Sequence, residues 1–187
     1  MNIGAVVLAA GEGKRFGGNK LLVKIQGKPI ILRVLEALSD LERVVIVGKY
    51  ALELLPLLKD EVVIYNPRWE EGMSTSLKLG VQFFYNKQGI IVALGDMPFI
   101  TKGIVNNIIS SYKEECEAVI PIHEGKQGNP VLLSKKIYDK ILELKGDVGA
   151  RYILKELKNP CYVEEGKEVL IDIDTPTDLA SFSQQPL

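Results

Sequence analysis

Histidine occurs once in the 187 residues, as His123, tryptophan once, as Trp69, and cysteine twice, as Cys116 and Cys161. A lone histidine in a glycine-containing turn reads as a surface residue, and Trp69 reads as a packing residue. No Ser–His or Cys–His pair of the kind that activates a side-chain nucleophile stands out. The cysteines lie too far apart for zinc-ligand spacing and read as small buried hydrophobes, free thiols in a reducing cytoplasm. Lysine and arginine (23) nearly balance aspartate and glutamate (24), for a net charge of −1. No bulk field therefore draws the chain to nucleic acid or to an anionic membrane, and basic residues that matter must act locally. No apolar run approaches the roughly 20 residues of a membrane span. The N-terminus enters a strand-like run at once, with no signal-peptide pattern. The expectation is a cytoplasmic protein with neither a membrane nor a nucleic-acid partner.

What is present is a 47% apolar composition, enough for a substantial core, in a length that suits one domain over 1–187. Strand-like runs recur at 3–9, 43–47, 62–65, 89–94, 117–121, 130–133 and 168–173. Helix-like segments fall between most of them, at 29–39, 50–59, 73–86, 101–114, 134–144, 148–158 and 175–184. This alternation predicts an α/β fold: a single-domain, Rossmann-like three-layer sandwich around a mostly parallel sheet. Pro29 opens the first helix, Ser74 or Thr75 is a candidate cap for the third, and Asp147 for the one carrying Arg151. The stretches 117–133 and 160–173 are less regular and suggest a small excursion beside the main sheet. In such folds ligands sit at the carboxyl ends of strands, so the loops after strands are the places to search.

The first loop follows Ile3–Ala9 and carries Gly11, Gly13, Gly17 and Gly18 with Arg15 and Lys20. Glycines let backbone N–H groups approach a ligand, and two cations beside them suit several phosphates. The pattern is not a Walker A loop, which needs G-x-x-x-x-G-K-[ST]. Nor is it a dinucleotide fingerprint: the spacing is G-x-G-x-x-x-G-G, and the second strand ends in Gly48-Lys49 rather than in an acid. The segment Gly72-Met73-Ser74-Thr75-Ser76 places small hydrogen-bonding groups at a helix start, where they can hold an anion or read a base edge. Asp96 emerges from the most apolar strand into the expected crevice, a suitable place for a magnesium ligand. Strand period two puts Asp172 and Asp174 on one face, and two like charges there call for a cation or solvent. One of them is alternatively a cap for the helix at Pro176. The turn at 121–130 is usable as a rim for a second substrate.

Together these segments resemble the MobA-like nucleotidyltransferases, most closely the molybdenum cofactor cytidylyltransferase branch. The resemblance rests on L-A-A-G-x-x-x-R-F-G-x-x-K from Leu8 to Lys20, G-M-S-x-S-L at 72–77, D-M-P at 96–98 and G-N-P-V at 128–131. It continues through G-D-x-G-A-R at 146–151 and D-I-D-T-P-x-D-L at 172–179, so it covers nearly the whole chain in order. It implies the nucleotide-diphospho-sugar transferase type of fold and transfer of a nucleoside monophosphate from a triphosphate to an acceptor phosphate, releasing pyrophosphate. It places Leu8, Ala9, Ala10, Gly11, Glu12 and Gly13 against base and phosphates, Arg15 and Lys20 on the triphosphate, and Gly72 and Ser76 near the base. Catalysis then falls to Arg15, Lys20 and Asp96. Asp96 holds Mg²⁺ with Asp172 or Asp174 as the second ligand, and Gly128, Asn129 and Arg151 lie on the acceptor side. An acceptor phosphate is already an anion, so positioning and charge neutralisation suffice without a side-chain nucleophile.

Ala10 stands where guanylyltransferases typically carry glycine, which points to CTP as donor; the resemblance itself implies molybdopterin as acceptor, with a molybdoenzyme as possible client. Asn19, where an acid often precedes the lysine, and Gly95, where the cofactor branch often has alanine, depart from the pattern and bear on the acceptor more than on the reaction. GTP with the same cofactor, or another phosphorylated acceptor, is the competing enzyme reading. A non-catalytic cofactor-handling chaperone is the reading from another class, opposed by the intact acids and cations.

Overall fold

The computed structural model describes residues 1–145 and 150–183. The chain runs β1 (Ile3–Ala9), β2 (Lys24–Ile25), β3 (Lys28–Pro29), α1 (Ile30–Ala37), β4 (Glu42–Val47), α2 (Ala51–Leu54) and β5 (Val62–Tyr65). It continues with α3 (Met73–Phe83), β6 (Gly89–Leu94), α4 (Lys102–Ser110), β7 (Ala118–His123), β8 (Lys126–Gln127) and β9 (Val131–Ser134). It closes with α5 (Tyr138–Leu142), α6 (Ala150–Leu154), β10 (Pro160–Glu164) and α7 (Pro176–Ser183). No helix among the described residues is long and apolar enough to cross a membrane.

The main sheet has the order β10-β7-β9-β6-β1-β4-β5, with β8 paired to β7. The pairs β1–β4, β1–β6, β4–β5 and β7–β10 are parallel, whereas β9 runs antiparallel to both β6 and β7. Strand β1 is central, and alternation sends its side chains to opposite faces. Ala5, Val7 and Ala9 join α1 and α4 in one core, while Val6 joins α3 and α5 in the other. Burial on both faces is why β1, β6 and the Val44–Val47 part of β4 read as apolar runs. The result is the expected single-domain three-layer α/β sandwich.

Several local expectations need correction. The run 168–173 is not a strand: Lys167–Leu170 forms a 3-10 turn and the chain then runs extended without a ladder. Its backbone bonds go elsewhere, with Asn129 N donating to Val169 O (2.9 Å) and Ile173 N donating to Asp96 O (3.0 Å). Part of the irregular 160–173 region is instead the edge strand β10. The helix expected at 50–59 is split into α2 and a 3-10 turn at Leu55–Leu57, because Pro56 lacks the N–H a continuing helix needs. Gly72, not Ser74 or Thr75, takes the cap position of α3, at φ 112°, a region that side chains with a β-carbon rarely adopt. Neither Asp172 nor Asp174 caps α7: Thr175 Oγ1 accepts from Asp178 N (3.2 Å), and Asp178 Oδ2 accepts from Thr175 N (2.8 Å). Asp147 lies outside the described residues.

The cysteines are not free thiols. Cys116 and Cys161 form a disulfide with Cα atoms 5.6 Å apart, and no cysteine among the described residues is unpaired. Parallel pairing of β10 with β7 sets Cys161 opposite Val119 and so brings together two residues separated by 45 positions.

Candidate active site

The carboxyl ends of β1, β4, β5 and β6 open onto one cleft of about 810 Å³. Leu8 through Gly13, Arg15, Lys20, Gly72, Ser76, Asp96 and Asp174 all line it. The loop after β1 folds back on itself: Phe16 N and Gly17 N both donate to Gly13 O, at 2.9 and 3.0 Å, and Lys20 N donates to Gly18 O at 3.0 Å. Gly13 is required there. Its φ is +61°, and a β-carbon would meet Gly18 O at 2.8 Å. The fold of this loop delivers the Lys20 side chain to the end of β6.

There Lys20 Nζ donates to Asp96 Oδ2 (2.7 Å) and to Asp174 Oδ1 (3.0 Å). Arg15 reaches the second oxygen of Asp174 at 2.9 Å from an exposed position. Burial pulls the Lys20 ammonium down, but Asp96 and Asp174 outweigh it and hold the group above its ordinary lysine value. Asp172 lies beside them, and one carboxylate oxygen from each of Asp96, Asp172 and Asp174 falls within 4.8 Å of the others. Partial burial, then the charges of Asp174 and Asp96, push the Asp172 carboxyl above its ordinary range. Three convergent carboxylates suit a hard dication with oxygen ligands, and Asp96 Oδ1 is buried without a hydrogen-bond partner.

The other wall holds residues that sequence reasoning passed over. Lys49 and Tyr50 follow β4 and line the cleft. Tyr50 Oη donates to Glu12 O (3.0 Å), and Lys49 Nζ lies 3.8 Å from Glu12 and 5.4 Å over the Trp69 ring. Trp69 therefore faces the cleft as well as packing. Position was the available signal: both follow the carboxyl end of a parallel strand. Asn66, buried at the end of β5, is a further omission.

Two residues expected on the acceptor side lie outside this cleft. Gly128 and Asn129 do not line the cleft; they brace the 167–173 segment, and a β-carbon on Gly128 would collide with the Val169 carbonyl. The Arg151 side chain lies outside the described residues, as do residues 146–149. His123 turns away toward the backbone, with Nδ1 2.8 Å from Glu165 O.

Comparison with known proteins places this arrangement. A probable molybdenum cofactor guanylyltransferase of Thermococcus gammatolerans is 34% identical over 95% of this chain and 96% of its own length. The molybdenum cofactor cytidylyltransferase of Escherichia coli is 27% identical over 98% of this chain and 96% of its own. The manganese complex of Rv0371c from Mycobacterium tuberculosis superposes with a TM-score of 0.81, at 19% identity, over the full length of both chains. The MobA-like NTP transferase domain matches residues 5–161, and the chain belongs to that family of nucleotidyltransferases.

Proposed function

We propose that this enzyme transfers CMP from CTP to the terminal phosphate of molybdopterin and releases pyrophosphate. The observation that carries the reading is the meeting of a glycine loop, two cations and the carboxylates of Asp96 and Asp174 in one cleft, with the more exposed Asp172 beside them. An oxygen of the acceptor phosphate bonds to the α-phosphorus while the bond from that phosphorus to the β-phosphate oxygen breaks, and the electron pair leaves with pyrophosphate. The nucleophile is already ionised, so no base is needed. The backbone of Ala10–Gly13 takes base and phosphates, and Arg15 and Lys20 neutralise the triphosphate. The exposed Arg15–Asp174 pair is cheaply exchanged for a phosphate contact, since such surface pairs contribute at most about 1 kcal/mol.

Asp96 with Asp172 or Asp174 would hold Mg²⁺, which when bound supplies charge neutralisation to the triphosphate. Asp172 is the better second ligand, because Asp174 already answers to Lys20 and Arg15. Gly128 and Asn129 serve the acceptor side indirectly, by fixing the segment that bears both aspartates.

Supplying each of the four nucleoside triphosphates with Mg²⁺ and molybdopterin, and reading pyrophosphate, tests the reaction. Absence of pyrophosphate with every donor refutes it. A second reading, GTP as donor, is favoured by the name of the Thermococcus relative. Ala10 supports CTP: its methyl narrows the base wall where a purine needs room. Ala10 as a whole is only 6% exposed, so its effect belongs at the low end of a methylene-sized discrimination, about 1 kcal/mol or fivefold. Ala10→Gly is expected to reduce the CTP-over-GTP ratio in kcat/KM by about that factor. A wild-type preference for GTP overturns the donor assignment and leaves the transfer reaction standing.

A further inference from the structure

Asn66 is 1% exposed and joins the end of β4, the turn at Arg68 and the start of α3 at one wall of the cleft. Its backbone N donates to Val47 O (2.8 Å), at the end of β4. Its Oδ1 accepts from the backbone N–H of Arg68 (2.9 Å). Its Nδ2 donates to Thr75 Oγ1 (2.8 Å) and Ser76 Oγ (2.9 Å), in the first turn of α3. The amide orientation is not free. A backbone N–H is an obligate donor, so the atom facing Arg68 N is oxygen and the atom facing both hydroxyls is the NH₂ group.

That assignment fixes the hydroxyl protons in turn. Thr75 receives one amide hydrogen and passes its own proton to Gly72 O (2.8 Å) or Arg68 O (3.0 Å). Ser76 receives the other amide hydrogen, and its own proton has no acceptor in the hydrogen bonds of the described residues. Ser76 lines the cleft and is otherwise buried. A buried hydroxyl proton without an acceptor is costly, and the cleft is the remaining direction.

We propose that Asn66 is a positioning residue for donor recognition, one that commits the Ser76 hydroxyl to donate into the cleft and so selects a base carrying a hydrogen-bond acceptor at that edge. The inference rests on the nucleotidyl-transfer reading above. Cytosine meets the requirement through O2 or N3, and guanine through O6 or N7. A base edge that presents N–H at that point is disfavoured.

Asn66→Asp tests this with little change of shape. The carboxylate still accepts from Arg68 N, but it now draws the Ser76 proton toward itself. KM and kcat for the preferred triphosphate are measured in wild type, N66D, S76A and the double variant, with inhibition by inorganic triphosphate measured in each. We expect KM to rise about 3- to 10-fold in N66D and in S76A, with kcat nearly unchanged. N66D is expected to add less than twofold in the S76A background, because the residue through which it acts is gone. Inhibition by inorganic triphosphate, which has no base, is expected to stay constant. Equal KM effects of N66D in both backgrounds, a parallel loss of inorganic triphosphate binding, or an unchanged KM in N66D overturns the proposal. Should N66D fail to fold, N66S removes the same donor and completes the same cycle. Failure of the underlying reading is separate: wild type then turns over no nucleotide at all.

Discussion

Replacing Lys20 by methionine removes a charge and keeps most of the side-chain volume, and the structure sets the size of the consequence. The Lys20 side chain is 14% exposed, that of Asp96 18% and that of Asp174 25%. Breaking a fully buried pair costs about 3–5 kcal/mol, whereas an exposed pair contributes at most about 1 kcal/mol. The intermediate burial here places the loss at about 2–3 kcal/mol, borne by carboxylates left facing one another within 4.8 Å. For a domain of this size each kcal/mol moves the melting temperature by about 2–4 °C, so metal-free Lys20→Met should melt roughly 4–12 °C below wild type.

A dication reverses that loss. Present at a hundredfold excess over its dissociation constant, it stabilises the folded state by about 2.7 kcal/mol, close to what the ammonium had contributed. In wild type the same ion enters against Lys20, so its gain is smaller. Thermal unfolding in EDTA and under increasing Mg²⁺ or Mn²⁺ is the assay, with Mn²⁺ affinity followed by electron paramagnetic resonance. Lys20→Met should gain more from metal and bind Mn²⁺ more tightly than wild type, yet turn over slowly for want of its phosphate contact. A variant as stable as wild type in EDTA, or one that gains no more from metal, refutes the view that Lys20 is the counter-ion of this acidic cluster.

The raised Asp172 carboxyl makes a pH prediction with a definite sign. Its ionisation opposes the fold, so metal-free stability should fall as pH rises from the ordinary carboxylate range through the raised value. Saturating dication, or Asp172→Asn, should flatten that limb of a pH–melting profile. Reduction of the Cys116–Cys161 disulfide releases a closed loop of 45 residues, which chain-entropy arithmetic sets at about 4 kcal/mol. The cysteines sit at the amino ends of β7 and β10, away from the cleft, so denaturant unfolding should shift while kcat/KM at 25 °C holds. Gly128→Ala should cost about 1–3 kcal/mol by overpacking against Val169. Because Val169 leads into the segment bearing Asp172 and Asp174, calorimetric titration should also show weakened Mn²⁺ binding, although Gly128 lies outside the cleft.

The parts of this molecule that could be read from sequence are those where burial writes itself into local pattern. Strands β1, β4 and β6 are covered on both faces and therefore consist of near-continuous aliphatic runs. The chemistry sits where those runs stop, which is why Lys20, Asp96 and the glycine loop stood out. Strand β10 was missed because it is an edge strand, Pro-Cys-Tyr-Val-Glu, with exposed and half-buried residues alternating along it.

Val169–Asp174 shows the opposite error. Its alternation is real, with Ile173 fully buried between two acids, but alternation records only which side chains face the core. The backbone bonds of this stretch go to Asn129 and Asp96 instead of to a ladder, and period two cannot distinguish the two cases. The two aspartates meet Asp96 all the same, because any extended chain turns every second residue the same way.

Asn66 was invisible for a third reason. A polar residue after a strand reads as loop, and its worth appears only once the turn at Gly72 returns α3 against the end of β5. Side-chain pattern thus encodes burial, whereas the direction of a hydrogen bond is settled by tertiary partners. In this cleft the backbone N–H of Arg68 orients Asn66, and Asn66 in turn settles which way Ser76 donates.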